Sequence, residues 1–356
     1  MHELPLYRPI PGGEEETLMS RKLKVLLIFN SPTNRPRGYD YKEEFADEDD
    51  MYTEQDVYNA LTANGYEVRL LGIFNNLNPL FEEIAEHKPD VIFNMMEVFN
   101  DQSYLEKNAG ALLEMLNIPY TGATSENLFL CNNKGLTKKI FSFHRIKVPE
   151  FYIFYRDRKV WLPKKLKLPL IIKPLCEEAS RGISLASLVE SEDAFKERVQ
   201  FIHKNMNMDA IAEEFIEGRE LYVSVMGNRR LKVLPPREMK FGELPEDARV
   251  ATYKAKWDDA YRDKWGIKSV FAGNLAKAVE KEIMDICKRA YRALNFHSYI
   301  RFDIRISGEG KVYILEPNAN PCIARVDELA QSAEKEGIAY NQLIRKIVMM
   351  ALQNKI

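Results

Sequence analysis

The stretch Tyr299–Pro321, YIRFDIRISGEGKVYILEPNANP, decides how the rest of the chain is read. Arg301, Asp303 and Arg305 alternate with Ile300, Phe302, Ile304 and Ile306, the period of a strand with one buried face. On the return run, Val312, Ile314, Glu316 and Asn318 are expected to share a face. A turn at Glu309-Gly310, where Gly310 accepts a positive φ, makes an antiparallel hairpin that sets Asp303 opposite Glu316 and Arg301 opposite Asn318. A slip of two residues would keep all four side chains on one face.

Two carboxylates placed across a ladder repel unless something positive lies between them. A hard divalent cation, Mg²⁺ or Mn²⁺, takes oxygen ligands and keeps phosphate or water in its remaining positions, so Asp303, Glu316 and the Asn318 amide suit nucleotide chemistry. The competing reading is a solvated hairpin face whose carboxylates pair with Arg301 and Arg305.

The rest of the chain sets the bounds. With 356 residues and 46% hydrophobic content it can bury sizeable cores in two or three domains. Lys+Arg of 51 against Asp+Glu of 53 argues against a general nucleic-acid or membrane binder. The start, MHELPLYRPIPGGEEETLMS, lacks an uninterrupted apolar core, so residues 1–20 read as a flexible head and a cytoplasmic location is expected. Cys131, Cys176, Cys287 and Cys322 show no CxxC spacing, which favours reduced thiols over a zinc cage.

Leu23–Phe29 reads as a strand buried on both sides, and the acidic run within residues 43–50 as a solvated loop. Thr53 with Asp56 is expected to open a helix that Gly65 closes before a strand over Tyr66–Leu71. Val91–Met95 is a further buried strand, and Ser103-x-x-Glu106 is a capping box for the next helix. Lys134 opens a helix expected to bury Leu136, Ile140 and Phe143. Leu170–Lys173 is a strand running into PLCEEASRGIS, whose Ala179, Ser180 and Gly182 are small enough for a loop that folds over phosphates within reach of Lys173. Ser191 caps a helix carrying Phe195, Val199 and Ile202 inward. Ala210–Val225 is read as a strand that crosses a polar turn at Glu217-Gly218-Arg219 and returns as a strand. Backbone beside Glu213–Ile216 could pair with an adenine and Glu220 with ribose hydroxyls; an ordinary charged hairpin is the alternative.

Taken in order, Lys134, Lys173-Pro174 with its loop, Glu213 to Glu220, Lys256, Arg301-x-Asp303 and Glu316-x-Asn318-x-Asn320-Pro321 resemble the ATP-grasp fold, and among its members the D-alanine-D-alanine ligases. The resemblance covers roughly residues 90 to 350. It implies an α/β and α+β chain in three parts: an N-terminal Rossmann-like α/β domain (21–122), then central (123–212) and C-terminal (213–356) ATP-grasp subdomains with ATP between them. Residue by residue, it implies that Lys134, Lys173 and Lys256 contact ATP phosphates or the adenine edge. Glu213, Glu214, Phe215 and Ile216 would hold adenine, and Glu220 ribose. Asp303, Glu316 and Asn318 would bind Mg²⁺ or Mn²⁺, with Arg301, Lys256 and Ser180 at the reacting groups. The implied activity is an ATP-dependent carboxylate-amine ligase acting on amino acids or peptides through an acyl phosphate, with a homodimer as a candidate assembly and neither nucleic acid nor membrane as a partner. A small-molecule kinase, or a regulatory protein that binds nucleotide without turnover, would use the same nucleotide site.

The substrate side departs from the family. The first strand leads into NSPTNRPRGYDY rather than a glycine-rich loop with a substrate-holding Glu. Glu178-Ala179-Ser180 replaces Gly-Ser-Ser, Trp257 a tyrosine, Cys322 a glycine and Asp327 a serine. Glu97 is the candidate for holding a substrate amine.

Overall fold

The computed structural model describes residues 22–36, 38–41, 44–45, 51–177, 180–245 and 249–354; the expected head and most of the acidic run lie outside them. Lys24–Asn30 (β1), Glu67–Ile73 (β2) and Val91–Met95 (β3) form a parallel sheet in the order β2-β1-β3. Parallel pairing needs crossovers, here carried by helices Tyr52–Ala63 (α1) and Asn78–His87 (α2), and Glu106–Met115 (α3) follows the last strand. Both faces of β1 are covered, which is why its sequence is a continuous apolar run. Leu26 and Ile28 pack with Leu80, Ile84 and Leu113, whereas Val25, Leu27 and Phe29 pack with Val57 and Leu61.

The expected local caps are not made, because distant partners take the polar groups. α1 starts at Tyr52 without a side-chain cap. Asp56 instead accepts from the Arg325 backbone N–H and Nε, at 3.0 and 3.1 Å, and Thr53 Oγ1 lies 3.6 Å from Cys322 Sγ. Ser103 lies in a 3₁₀ turn, and Glu106 accepts from Asn320 Nδ2 at 3.1 Å. Nor is the described part of the acidic run solvated: Phe45 is buried against Phe29, and Glu44 pairs with Arg35.

Ser125–Asn132 (α4) and Lys134–Phe143 (α5), capped by Thr124 and Asn133, lead into the second unit. Its strands, Phe151–Phe154 (β4), Leu170–Pro174 (β5), Leu188–Val189 (β6) and Ala210–Glu214 (β7), pair antiparallel in the order β4-β7-β5-β6. Helix Glu192–Asn205 (α6), capped by Ser191, lays Phe195, Val199 and Ile202 on this sheet. The expected division at 212/213 falls inside β7.

The third unit is a six-stranded antiparallel sheet. Its strands are Gly218–Met226 (β8), Lys232–Val233 (β9), Arg237–Lys240 (β10), Lys268–Phe271 (β11), Tyr299–Ser307 (β12) and Val312–Ala319 (β13), in the order β11-β10-β8-β12-β13 with β9 on β8. Short helices Tyr253–Trp257 (α7) and Asp259–Trp265 (α8) join β10 to β11, and Lys277–Ala293 (α9) covers one face. The reading of β7 and β8 as one returning hairpin is corrected here: they belong to different sheets, and residues 215–217 cross between them. Gly218, at φ +139°, is required at the crossing, since a Cβ there would lie 2.0 Å from Ile306 O.

The last helices, Glu328–Lys335 (α10) and Tyr340–Gln353 (α11), return to the first sheet, where their core also takes in Met226 of β8 and Tyr299 of β12. Leu343, Ile344, Ile347 and Val348 are fully buried there. Each such side chain contributes about 1.5–3 kcal/mol of burial, enough to fix the first unit against the end of the chain. Among the described residues no helix is long and apolar enough to cross a membrane, and none of the four cysteines is in a disulfide.

Candidate active site

The hairpin pairs as its alternation required where chemistry is concerned: Arg301 faces Asn318 and Asp303 faces Glu316. One residue further on, the register shifts, and Ile304 faces Ile314. Leu315 is therefore an extra residue, a bulge, and a loop one residue longer than the expected turn compensates for it, with Gly310 at φ 76°. The expectation that Val312, Ile314, Glu316 and Asn318 share a face is corrected accordingly. Val312 and Ile314 are buried in the core beneath the sheet. The bulge turns Glu316 and Asn318 to the other side, onto the cleft between the two antiparallel sheets.

Burial rules out a solvated face. Asp303 is 2% exposed and Arg305 4%. Arg301 Nε donates to Asp303 Oδ1 at 2.8 Å, Lys256 Nζ to Oδ2 at 3.1 Å, and Asn318 Nδ2 to Oδ1 at 2.9 Å. Lys134 Nζ, which also donates to the Glu177 carbonyl, lies 3.8 Å from Glu316 Oε2. Burial pushes the Glu316 carboxyl up, but Lys134, Lys173, Lys256 and Lys138 together outweigh it and bring it down to about 2. Burial works against charge on Arg301 too, and Asp303 and Glu328 reverse it, raising its pKa.

Beside these groups is a cavity lined by residues of β5, β7, β8, β12 and β13. Lys173 and Glu213 stand on adjacent strands β5 and β7, with Lys173 Nζ 3.1 Å from Glu213 Oε2. Phe215 and Ile216 line the crossing segment, and Glu214 is half-buried at the end of β7. Arg305 fastens this edge: Nη1 donates to Ile216 O at 2.8 Å, Nη2 contacts Glu220 Oε2 at 2.8 Å, and the guanidinium lies 4.6 Å from the centre of the Phe215 ring. Ser180, at φ 59°, donates to Ala251 O at 3.3 Å and faces the same cavity, while Glu178 and Ala179 lie outside the described residues.

Every residue expected at the nucleotide and metal is thus brought to one cleft. Lys138 was missed. The apolar face expected for α5 was the wrong one: Phe143 is 84% exposed, whereas Lys134, Thr137, Lys138 and Phe141 are buried, because this helix turns its polar side to the cleft. The signal available was the spacing, since Lys138 is one helical turn from Lys134. Glu97 is exposed after β3, and Asp327 carries a buried Oδ2.

Residues 140–349, more than half of the chain, match the family described as D-ala D-ala ligase C-terminus. The chain belongs to this family. Similar proteins include the uncharacterized protein y4sG of Sinorhizobium fredii, 28% identical over 73% of this chain and 74% of its own length. A D-alanine–D-alanine ligase of Pelagibacter ubique is 28% identical over 85% of this chain and 93% of its own. The crystal structure of the Bacillus anthracis D-alanine–D-alanine ligase complexed with ATP superposes with a TM-score of 0.70 at 19% identity, over 93% of this chain and 98% of that one. The D-Ala-D-Ala ligase fold, an ATP-grasp fold, is therefore shared, and membership makes the chain an ATP-dependent ligase that forms an amide bond.

Proposed function

We propose that the chain is an ATP- and Mg²⁺-dependent carboxylate-amine ligase that activates an amino-acid-like carboxylate as an acyl phosphate for attack by an amine. The observation that carries this reading is the pair Asp303 and Glu316, opposed across one ladder, with Arg301 projecting beside them. Around the cleft Lys134, Lys138, Lys173, Lys256, Arg301 and Arg305 are interleaved with Glu213, Glu214, Glu220, Asp303, Glu316 and Glu328. Four lysines and two arginines gathered in one cleft, in a chain of net charge -2, suit a triphosphate.

The donor set fits a hard cation. Asp303, Glu316 and the Asn318 amide supply oxygens, and no third His, Cys, Asp or Glu joins them among the described residues, which leaves positions for phosphate and water. Bound there, a divalent cation supplies charge neutralisation at the phosphates. The protein's own groups do the rest. Lys173, Glu213 and the crossing segment seat the nucleobase, and Glu220, oriented by Arg305, takes the ribose. A substrate carboxylate oxygen attacks the terminal phosphorus and ADP leaves; the amine nitrogen then attacks the acyl carbon, loses a proton and releases phosphate. Arg301 faces the oxygens on which charge builds in both steps, where a planar fork can bridge two of them.

A screen of carboxylate and amine pairs, read by phosphate release and mass spectrometry, tests this. An amide formed with ADP and phosphate is expected. A stable phosphorylated product would replace the reading with a kinase, and nucleotide binding without any product would replace it with a regulatory role. D-alanine is expected to be a poor substrate, because Trp257 and Asp327 stand where the resemblance places the groups that hold it.

A further inference from the structure

Lys138 is a cation with only 2% exposure, placed between three elements that the sequence keeps far apart. It stands on α5, its Nζ donates to Leu315 O at 2.6 Å, and it lies 3.4 Å from Glu213 Oε2 on β7. Leu315 is the bulged residue of β13. A bulge leaves its extra residue unpaired in the ladder, so the carbonyl of half-buried Leu315 takes a donor from elsewhere. This bulge also determines that Glu316 and Asn318 look into the cleft while Val312 and Ile314 remain in the core. Glu213, fully buried, has Lys138 and Lys173 on Oε2 and no partner on Oε1.

We propose that Lys138 is a positioning residue: by holding the Leu315 carbonyl it fixes the bulge, and through it the direction in which Glu316 and Asn318 present their oxygens to a divalent cation. The assignment rests on the metal reading given above and goes beyond it by naming the group outside the donor set on which the set depends. Glu213 keeps Lys173 when Lys138 is removed, so the base edge should be far less sensitive to the change than the metal face.

The test compares wild type, Lys138→Met and Glu316→Gln by two binding measurements that need no turnover. One is Mn²⁺ affinity by electron paramagnetic resonance with adenylyl imidodiphosphate present. The other is affinity for that analogue in excess EDTA, by calorimetry. Lys138→Met is expected to weaken Mn²⁺ at least 10-fold and to change metal-free analogue affinity less than 3-fold. Mn²⁺ affinity within 3-fold of wild type would overturn the proposal, as would an equal fall in both affinities, which is the mark of a general packing role. Absence of Mn²⁺ binding in wild type, or undiminished binding in Glu316→Gln, would overturn the metal assignment and the proposal together. Binding lost in Glu316→Gln but kept in Lys138→Met would overturn the role of Lys138 alone. Should the methionine variant not fold, Lys138→Met with Glu213→Gln removes the carboxylate that loses one of its two lysines. Compared with Glu213→Gln alone, that double variant is expected to bind Mn²⁺ at least 10-fold more weakly, and equal affinities would overturn the proposal.

Discussion

Asp303 stands directly opposite Glu316 across the β12–β13 ladder, and the cations that balance the pair come from within and beyond it: Arg301 of β12 contacts Asp303 at 2.8 Å and Lys256 at 3.1 Å, and Lys134 approaches Glu316 at 3.8 Å. Four lysines outweigh that repulsion and hold Glu316 ionised, so Glu316→Gln, which strands part of their charge, is expected to fold but to melt below wild type. Its metal-dependent phosphate release should fall by at least ~10², beyond the 10–100-fold that loss of a ligand's supporting partner typically costs. Undiminished release would remove Glu316 from the donor set.

Arg301 separates binding from chemistry. Its Nε is committed to Asp303 and its Nη1 lies 3.7 Å from Glu328 Oε2, which holds the guanidinium beside Asp303. Arg301→Lys keeps the charge and loses the fork. ATP affinity by calorimetry should change little, while turnover should drop by roughly 10²–10³, the loss typical of one transition-state donor. If nucleotide binding and turnover fall together, Arg301 is holding the ground state.

Arg305 and Glu220 form a buried pair, 5% and 4% exposed in their side chains and 2.8 Å apart. Arg305→Met strands the Glu220 charge, and the expected cost is about 3–5 kcal/mol in urea denaturation. Adding Glu220→Leu should recover most of that stability, because the expense lies in the uncompensated carboxylate. A single variant as stable as wild type would show that water reaches Glu220.

Glu54, in the first turn of α1, sets a pH dependence. Burial first, and then the Glu97 charge, raise its carboxyl from 4.5 to about 7. Between those two values the native state holds a proton that the unfolded chain has lost, so stability falls as pH rises from about 4.5 to 7, and the penalty is absent below that window. Glu54→Gln should therefore be more stable than wild type at pH 8 by about 1–3 kcal/mol, with the gap closing at pH 4.5. Thermal melts of both proteins across that range check it. A gap independent of pH would mean that packing, not ionisation, separates them.

Much of the site was legible because its signals are local. Arg301, Asp303, Glu316 and Asn318 lie on two strands joined by a short turn, and period-two alternation with a glycine in the turn is enough to oppose them. The family's motifs supplied the remaining nucleotide groups in order. The parallel sheet was legible in the same way, since a strand covered on both faces must be apolar throughout, as β1 is.

What the sequence by itself determined, then, are the periodic strands, the opposed carboxylates and the family. Only the tertiary structure decided where partners from distant segments compete with local ones. Leu315 became a bulge because Val312 and Ile314 are drawn into the core while Glu316 must face the cleft, a conflict of faces that alternation alone resolves wrongly. The polar face of α5 is buried because buried carbonyls and carboxylates await its lysines, so an apolar-stripe rule chose the opposite side. Asp56 and Glu106 passed over their local caps for Arg325 and Asn320, whose charge or geometry offered more than a neighbouring backbone N–H. In each case the deciding contact spans well over a hundred residues, and no local window of sequence contains both of its ends.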